Sequence, residues 1–234
     1  MIDIDFIINT CLKEFKLEKL PSYIEIKYID SCDFFKLTQK GVPEEKTIEI
    51  PVLTLKEDNK NIIYVNYLEL NQNEYIVMEM LLSQIIKLIM KNEKEYILLK
   101  EKNKNTVFQK NVQLGLNTFL EYNELLIVMN TMKKVYNSKE HYRKNNPYTP
   151  KQSKKIALKV LGKIINKNTD ISTVIYCLVK LSVNENYNFT NVSLKKSQYL
   201  EELNKILLNF SYKTITKKEL NRLGVLTTKI SESV

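Results

Sequence analysis

Hydrophobic and polar positions follow two different periods along this chain, and the changes of period mark out its parts. The most apolar stretch, Asn73 to Asn92 (NEYIVMEMLLSQIIKLIMKN), places Ile76, Val77, Met80, Leu81, Ile85, Leu88 and Ile89 at helical spacing. Glu79, Ser83, Lys87 and Lys91 recur every fourth residue as one narrow polar stripe, and a helix apolar on every other side is buried. At about 1.5 Å per residue it is roughly 28 Å long, enough to span a small domain, but its length and charged ends fall short of a membrane span.

The segments around it read as elements packed on it. Ile4 to Leu17 is an amphipathic helix stopped by Pro21. The period then drops to two. Tyr23 to Ile29 alternates as a half-buried strand, and Phe34 to Thr38 reads as a short second strand before a turn at Gly41-Val42-Pro43. Ile48 to Leu55 is a third strand, which Pro51 confines to an edge or a bulge. A turn at Asp58 to Asn61 leads into Ile62 to Asn66. Beyond the central helix, Tyr96 to Lys100 reads as one more strand and Asn111 to Tyr136 as a second long helix.

After that the texture changes. Asn137 to Lys155 is polar, basic and interrupted by Pro147 and Pro150, the signature of a linker or domain edge. Thr149-Pro150-Lys151-Gln152 then supplies an N-cap, a first-turn proline and a capping-box glutamine. The helix it opens, through Lys167, carries Ile156, Val160 and Ile164 on one face. Helices follow over Asp170 to Ser182, Ser193 to Phe210 and Thr216 to Leu223, the last with a Thr216/Glu219 capping box and Gly224 just past its end. The pattern predicts an α+β fold. Residues 1–137 hold a small mixed sheet with two long helices, and residues 138–234 form an all-helical C-terminal region.

Composition narrows the setting. A chain of 234 residues that is 44% hydrophobic supports one large domain or two small ones. The acidic start MIDIDFIIN and the lack of any transmembrane-length apolar run point to a cytoplasmic protein that does not enter membranes. Cys11, Cys32 and Cys177 lie far apart with no CxxC pair and read as buried thiols. The net charge of +9 is nearly all lysine, since Arg143 and Arg222 are the only arginines. Together with abundant Asn, Ile and Tyr this is the bias of an AT-rich coding sequence, and it suggests an AT-rich host or a phage or other mobile element. Reading a base sequence favours the bidentate arginine fork, so a lysine excess supports non-specific polyanion affinity instead.

The order of helix, short sheet, strand ending in Tyr64-Val65-Asn66 and two long helices resembles the zincin-like peptidase domains of the ImmA/IrrE type, over residues 1–137. In that family the central helix carries HExxH, a zinc-binding histidine pair enclosing a general-base glutamate, and the next helix adds an acidic ligand. The motif falls here on Met78-Glu79-Met80-Leu81-Leu82, with Glu79 in the place of the base and Met78 and Leu82 in the places of the histidines. Phe119-Leu120-Glu121-Tyr122-Asn123 is similar to the segment that supplies the acid, with Glu121 at its position and Glu124 one turn on. The resemblance therefore implies a pseudo-enzyme. The chain's single histidine, His141, forbids a His-His pair, and methionine and leucine do not hold zinc, so no metal or other cofactor and no catalytic residue are expected. Glu79 reads otherwise as a polar residue on the wet stripe, paired with a lysine, and Glu121 and Glu124 as surface or capping acids. The chain also lacks GxGxxG, a phosphate loop and GxSxG.

Binding remains. Lys154, Lys155, Lys159 and Lys163, beside Arg143, Tyr142 and Tyr148, offer a surface that could track phosphates and stack bases, although a solvated lysine face on an ordinary packed helix is the simpler reading. Thr216 to Val234 resembles a helix-turn-helix with Gly224 at the turn, but Leu220 stands where a small residue is usual. The leading expectation is a non-catalytic regulatory or interaction protein that binds another protein. The alternative is a DNA- or RNA-binding protein using the lysine-rich C-terminal half.

Overall fold

The computed structural model describes residues 3–39, 51–72, 74–92, 106–138, 171–182, 194–211 and 214–232. Within them the fold is α+β. Helix α1 (Ile4–Glu14) leads to strand β1 (Ile24–Ile29), helix α2 (Ser31–Gln39), and the hairpin of β2 (Val52–Glu57) and β3 (Lys60–Asn66). A short helix α3 (Tyr67–Gln72) precedes the central helix α4 (Glu74–Asn92) and the long helix α5 (Val107–Ser138). Helices α6 (Ile171–Ser182), α7 (Leu194–Asn209) and α8 (Lys217–Glu232) follow. None of the described helices is long and apolar enough to cross a membrane.

The sheet has the order β1-β3-β2, with β1 parallel and β2 antiparallel to β3. Central placement explains why β3 is apolar without alternation: Ile63 and Val65 enter the main core, while Ile62 and Tyr64 pack with Phe34 of α2 on the opposite face. The Tyr64 hydroxyl donates to Glu57 at 2.5 Å, and that bond holds its pKa up at about 12. Glu57 faces Lys60 across a two-residue hairpin whose Asp58 has a φ of 51°, a left-handed conformation that aspartate tolerates better than most residues. Pro51 sits immediately before β2, at an edge of the sheet, and its carbonyl accepts from the Asn66 amide at 2.9 Å.

Several boundaries differ from the sequence expectation. Phe34 to Thr38 is helical, because Asp30 caps α2: its carboxylate accepts from the Asp33 amide at 2.9 Å and its carbonyl from the Phe34 amide at 2.9 Å. Helix α1 stops before Pro21 can act on it. Lys16 turns left-handed at φ 58°, its amide reaches the Lys13 carbonyl, and the Leu17 amide reaches the Leu12 carbonyl, which is a Schellman end without glycine. Helix α5 starts earlier than Asn111, since Thr106 and Gln109 close a reciprocal capping box at 3.1 and 3.2 Å. Cys11 and Cys177 are buried, with thiols pushed up to about 12 and about 11 chiefly by burial. Cys32 is exposed, because α2 turns Phe34 toward the sheet and leaves Cys32 on its outer side. The expected strand over Tyr96 to Lys100, the helix opened by Thr149 and the segment proposed as linker beyond residue 138 lie outside the described residues.

One apolar core joins the sheet, α1 and α4 to α5, and α5 to α6, α7 and α8. Its tightest contact is the crossing of α5 and α8. A Cβ on Gly115 would lie 1.9 Å from the Leu220 carbonyl oxygen, and one on Gly224 would lie 2.0 Å from the Asn111 carbonyl oxygen. Both glycines are buried within helices, and one turn away the Thr118 and Thr227 hydroxyls, also buried, meet at 3.2 Å. Gly224 therefore does not end a helix. Helix α8 runs on from Leu220 and Leu223 to Leu226 and Ile230 in one periodic stripe, so the turn of a helix-turn-helix is absent there. Thr216 and Glu219 do pair at the start of α8, through one arm of the expected capping box: the Thr216 amide lies 3.3 Å from the Glu219 carboxylate, and the bond that the Thr216 hydroxyl donates to the same carboxylate is the main cause holding the Glu219 pKa below its usual value.

Gly115→Ala and Gly224→Ala test the crossing. Alanine gains about 1 kcal/mol of helix propensity over glycine, whereas overpacking against a fixed neighbour costs about 1–3 kcal/mol or more. Because the atoms in the way are backbone oxygens at 1.9 and 2.0 Å, the cost falls at the upper end of that range, and each variant should lose about 2 kcal/mol in urea unfolding despite its better propensity. A neutral or stabilising result for either would mean the two backbones do not touch.

Candidate functional site

The polar stripe of α4 finds its counterpart on α5. Ser83 donates its hydroxyl to Glu124 Oε1 at 2.5 Å, and Lys87 Nζ lies 3.2 Å from the same oxygen. Glu124 is only 8% exposed. A carboxylate that deep needs donors to offset its lost hydration, and these two side chains provide them. Past this contact the helices part into a groove of about 480 Å³. Met90, Leu120 and Leu125 form its apolar floor, Lys87 and Lys91 its α4 wall, and Asn117, Glu121 and Glu124 its α5 wall. Lys91 is exposed and Glu121 half-buried, and neither side chain makes an ion pair among the described residues. Among the described residues, the groove thus offers an unpaired cation on one side and an unpaired carboxylate on the other.

The positions singled out in the sequence are split by this arrangement. Met78 and Leu82 are fully buried in the core with no access to the groove. Glu79 is half-buried beside them and accepts from the Tyr75 hydroxyl at 2.9 Å. Glu121 is in the groove wall instead, with Glu124, Lys87 and Lys91. The helix explains the separation: at about 100° per residue, Met78 and Leu82 are turned well away from Lys87 and enter the core, while Glu79 stays on the stripe, about two turns before the groove. Glu124 is a correction, since it is a buried partner of Ser83 and Lys87 and not a surface or capping acid. Its signal was present in the Ser83/Lys87 spacing, because polar groups on an otherwise buried helix require a polar neighbour. Among the described residues, no three His, Cys, Asp or Glu side chains come together as metal ligands would. Arg143, Lys154, Lys155, Lys159 and Lys163, with His141, lie outside the described residues. Compared with family models, curated proteins and solved structures, the chain gives no match.

The contacts at Glu124 are unequal. A hydrogen bond to a charged group contributes about 1.5–3 kcal/mol, but Lys87 is 43% exposed and its ion pair is screened by water, which limits such a pair to about 0.2–1 kcal/mol. Ser83→Ala should therefore destabilise the protein more than Lys87→Met in urea unfolding. The reverse order would assign the anchoring of Glu124 to charge.

Proposed function

We propose that this is a non-catalytic regulatory protein that acts by binding another protein, built on a degenerate zincin-like scaffold, with the α4–α5 groove as its binding site. The observation that carries the reading is the groove itself: an apolar floor between walls of opposite charge, with Lys91 and Glu121 unpaired. Such a surface offers apolar area for affinity and charges for orientation, as protein interfaces do. The scaffold reading draws on the helix–sheet–long-helix order, and the non-catalytic reading on the core side chains Met78 and Leu82 at the histidine positions. The net charge of +9 supports a second reading, DNA or RNA binding through the lysine-rich C-terminal half. The mixed signs of the groove favour protein, because Glu121 and Glu124 would repel a phosphate backbone.

The test is a photo-crosslinking amino acid placed at Asn117, on the groove wall, and separately at Leu208, an exposed position on α7. Irradiation in the native cells should join one discrete protein to the Asn117 variant and not to the Leu208 variant. Adducts to nucleic acid, or identical adducts from both positions, would overturn the reading.

A further inference from the structure

Resting on that reading, we propose that the groove receives an amphipathic α-helix of the partner, whose apolar stripe lies between one acidic and one basic flank. The spacing of the lining residues argues for a helix. Lys87 and Lys91 are one turn apart on α4, and Asn117, Leu120 with Glu121, and Glu124 with Leu125 mark successive turns on α5. These ridges repeat about every 5.4 Å and mesh with the ridges of a third helix, whereas a strand repeats its side chains on one face about every 6.6 Å.

Backbone polarity argues the same way. The α5 wall is mid-helix, with its amides and carbonyls paired internally, and on the α4 side only the carbonyls of the last turn lack helical partners, so an extended peptide lowered onto Met90, Leu120 and Leu125 would lose water from most of its backbone and gain few partners. A helix arrives with its backbone already satisfied. From Asn117 to Leu125 the wall extends about 12 Å at 1.5 Å per residue, so about two turns of the guest are engaged.

The charges state what those turns carry. The flank beside α4 meets Lys91 and Lys87 and must be acidic, while the flank beside α5 meets Glu121 and must be basic. A helix with two acidic or two basic flanks is repelled by one wall in either direction of approach, and this repulsion supplies the selectivity. A mixed-flank helix satisfies both walls in one direction only.

The experiment uses the full chain and three labelled synthetic helices with the same leucine stripe and caps, one flanked by Glu and Lys, one by Glu on both sides and one by Lys on both sides. Fluorescence anisotropy at low ionic strength should show the mixed helix binding at least tenfold more tightly than either other. Lys91→Glu should transfer the preference to the all-lysine helix, and Glu121→Lys to the all-glutamate helix. Neither residue has an ion pair to lose among the described residues, and Glu121→Gln, which should merely relax discrimination against the all-glutamate helix, provides a milder variant. Equal binding of all three helices, or preferences unmoved by the charge reversals, would overturn the proposal. Sedimentation of the chain alone adds one more arm: self-association abolished by Lys91→Glu would assign the groove to a second copy and overturn it too. If no helix binds while the Asn117 crosslinker still captures a protein, this inference fails and the reading of the groove as a protein-binding site stands; if both fail, both fall.

Discussion

Two helix backbones in direct contact set the geometry of this protein. At the crossing of α5 and α8, Gly115 faces the Leu220 carbonyl and Gly224 faces the Asn111 carbonyl, with no room for a Cβ at either position. Ordinary helix pairs are kept apart by their side chains at about 8–10 Å between axes. Removing the side chain from both partners at the same level lets the larger flanking residues, Leu116 and Leu223 among them, interlock in one core. The Thr118–Thr227 contact shows what that proximity demands: hydroxyls carried inside must find each other, and they do.

Helix α5 owes its central role to this contact. It packs on α4 and α1 along one part of its surface and on α6 and α8 along another, so the sheet-bearing half and the C-terminal helices share one wall. Polar ties reinforce it at intervals: Lys134 pairs with Glu14 of α1, and the Tyr122 hydroxyl meets Ser182 of α6 at 3.1 Å. Helix α8 is held in turn by α7 through the Arg222–Glu202 pair and through Lys229, whose ammonium lies 5.2 Å from the centre of the Tyr199 ring. With α5 fixed from behind by α8, its opposite side presents Glu121, Glu124 and Leu125 to α4 at a set height. The groove follows from that placement, and so does the burial of Glu124.

Much of this was legible in the residues. The stripe at Glu79, Ser83, Lys87 and Lys91 identified α4 as buried, and the period change near Tyr23 located the sheet. The failures have particular physical causes. Phe34 to Thr38 is too short for alternation to outweigh a cap, and Asp30 with Asp33 three residues on is a helix-start signal. A glycine that ends a helix and one that admits a neighbouring backbone look alike at the residue itself. Only the continuing stripe of Leu226 and Ile230 distinguishes Gly224 as the second kind. The burial of Glu124 is hidden in the sequence because charged residues are mostly exposed and the donors that permit it lie 41 and 37 positions away, at Ser83 and Lys87. The groove could not be read at all from sequence, since no residue pattern gives the distance between two helices.

Helix α8 is an integral part of the core that also holds α4, and native-state hydrogen exchange examines this most directly. Amides of residues 81–89, 112–119 and 220–227 lie at the contacts described, and a shared core requires them to open together, with one free energy and one denaturant dependence equal to those of global unfolding. Coincidence of the three groups is the predicted result. Exchange of the 220–227 amides at a distinctly lower free energy, while residues 81–89 keep full protection, would show that α8 detaches on its own and would contradict the claim that the glycine crossing organises the fold.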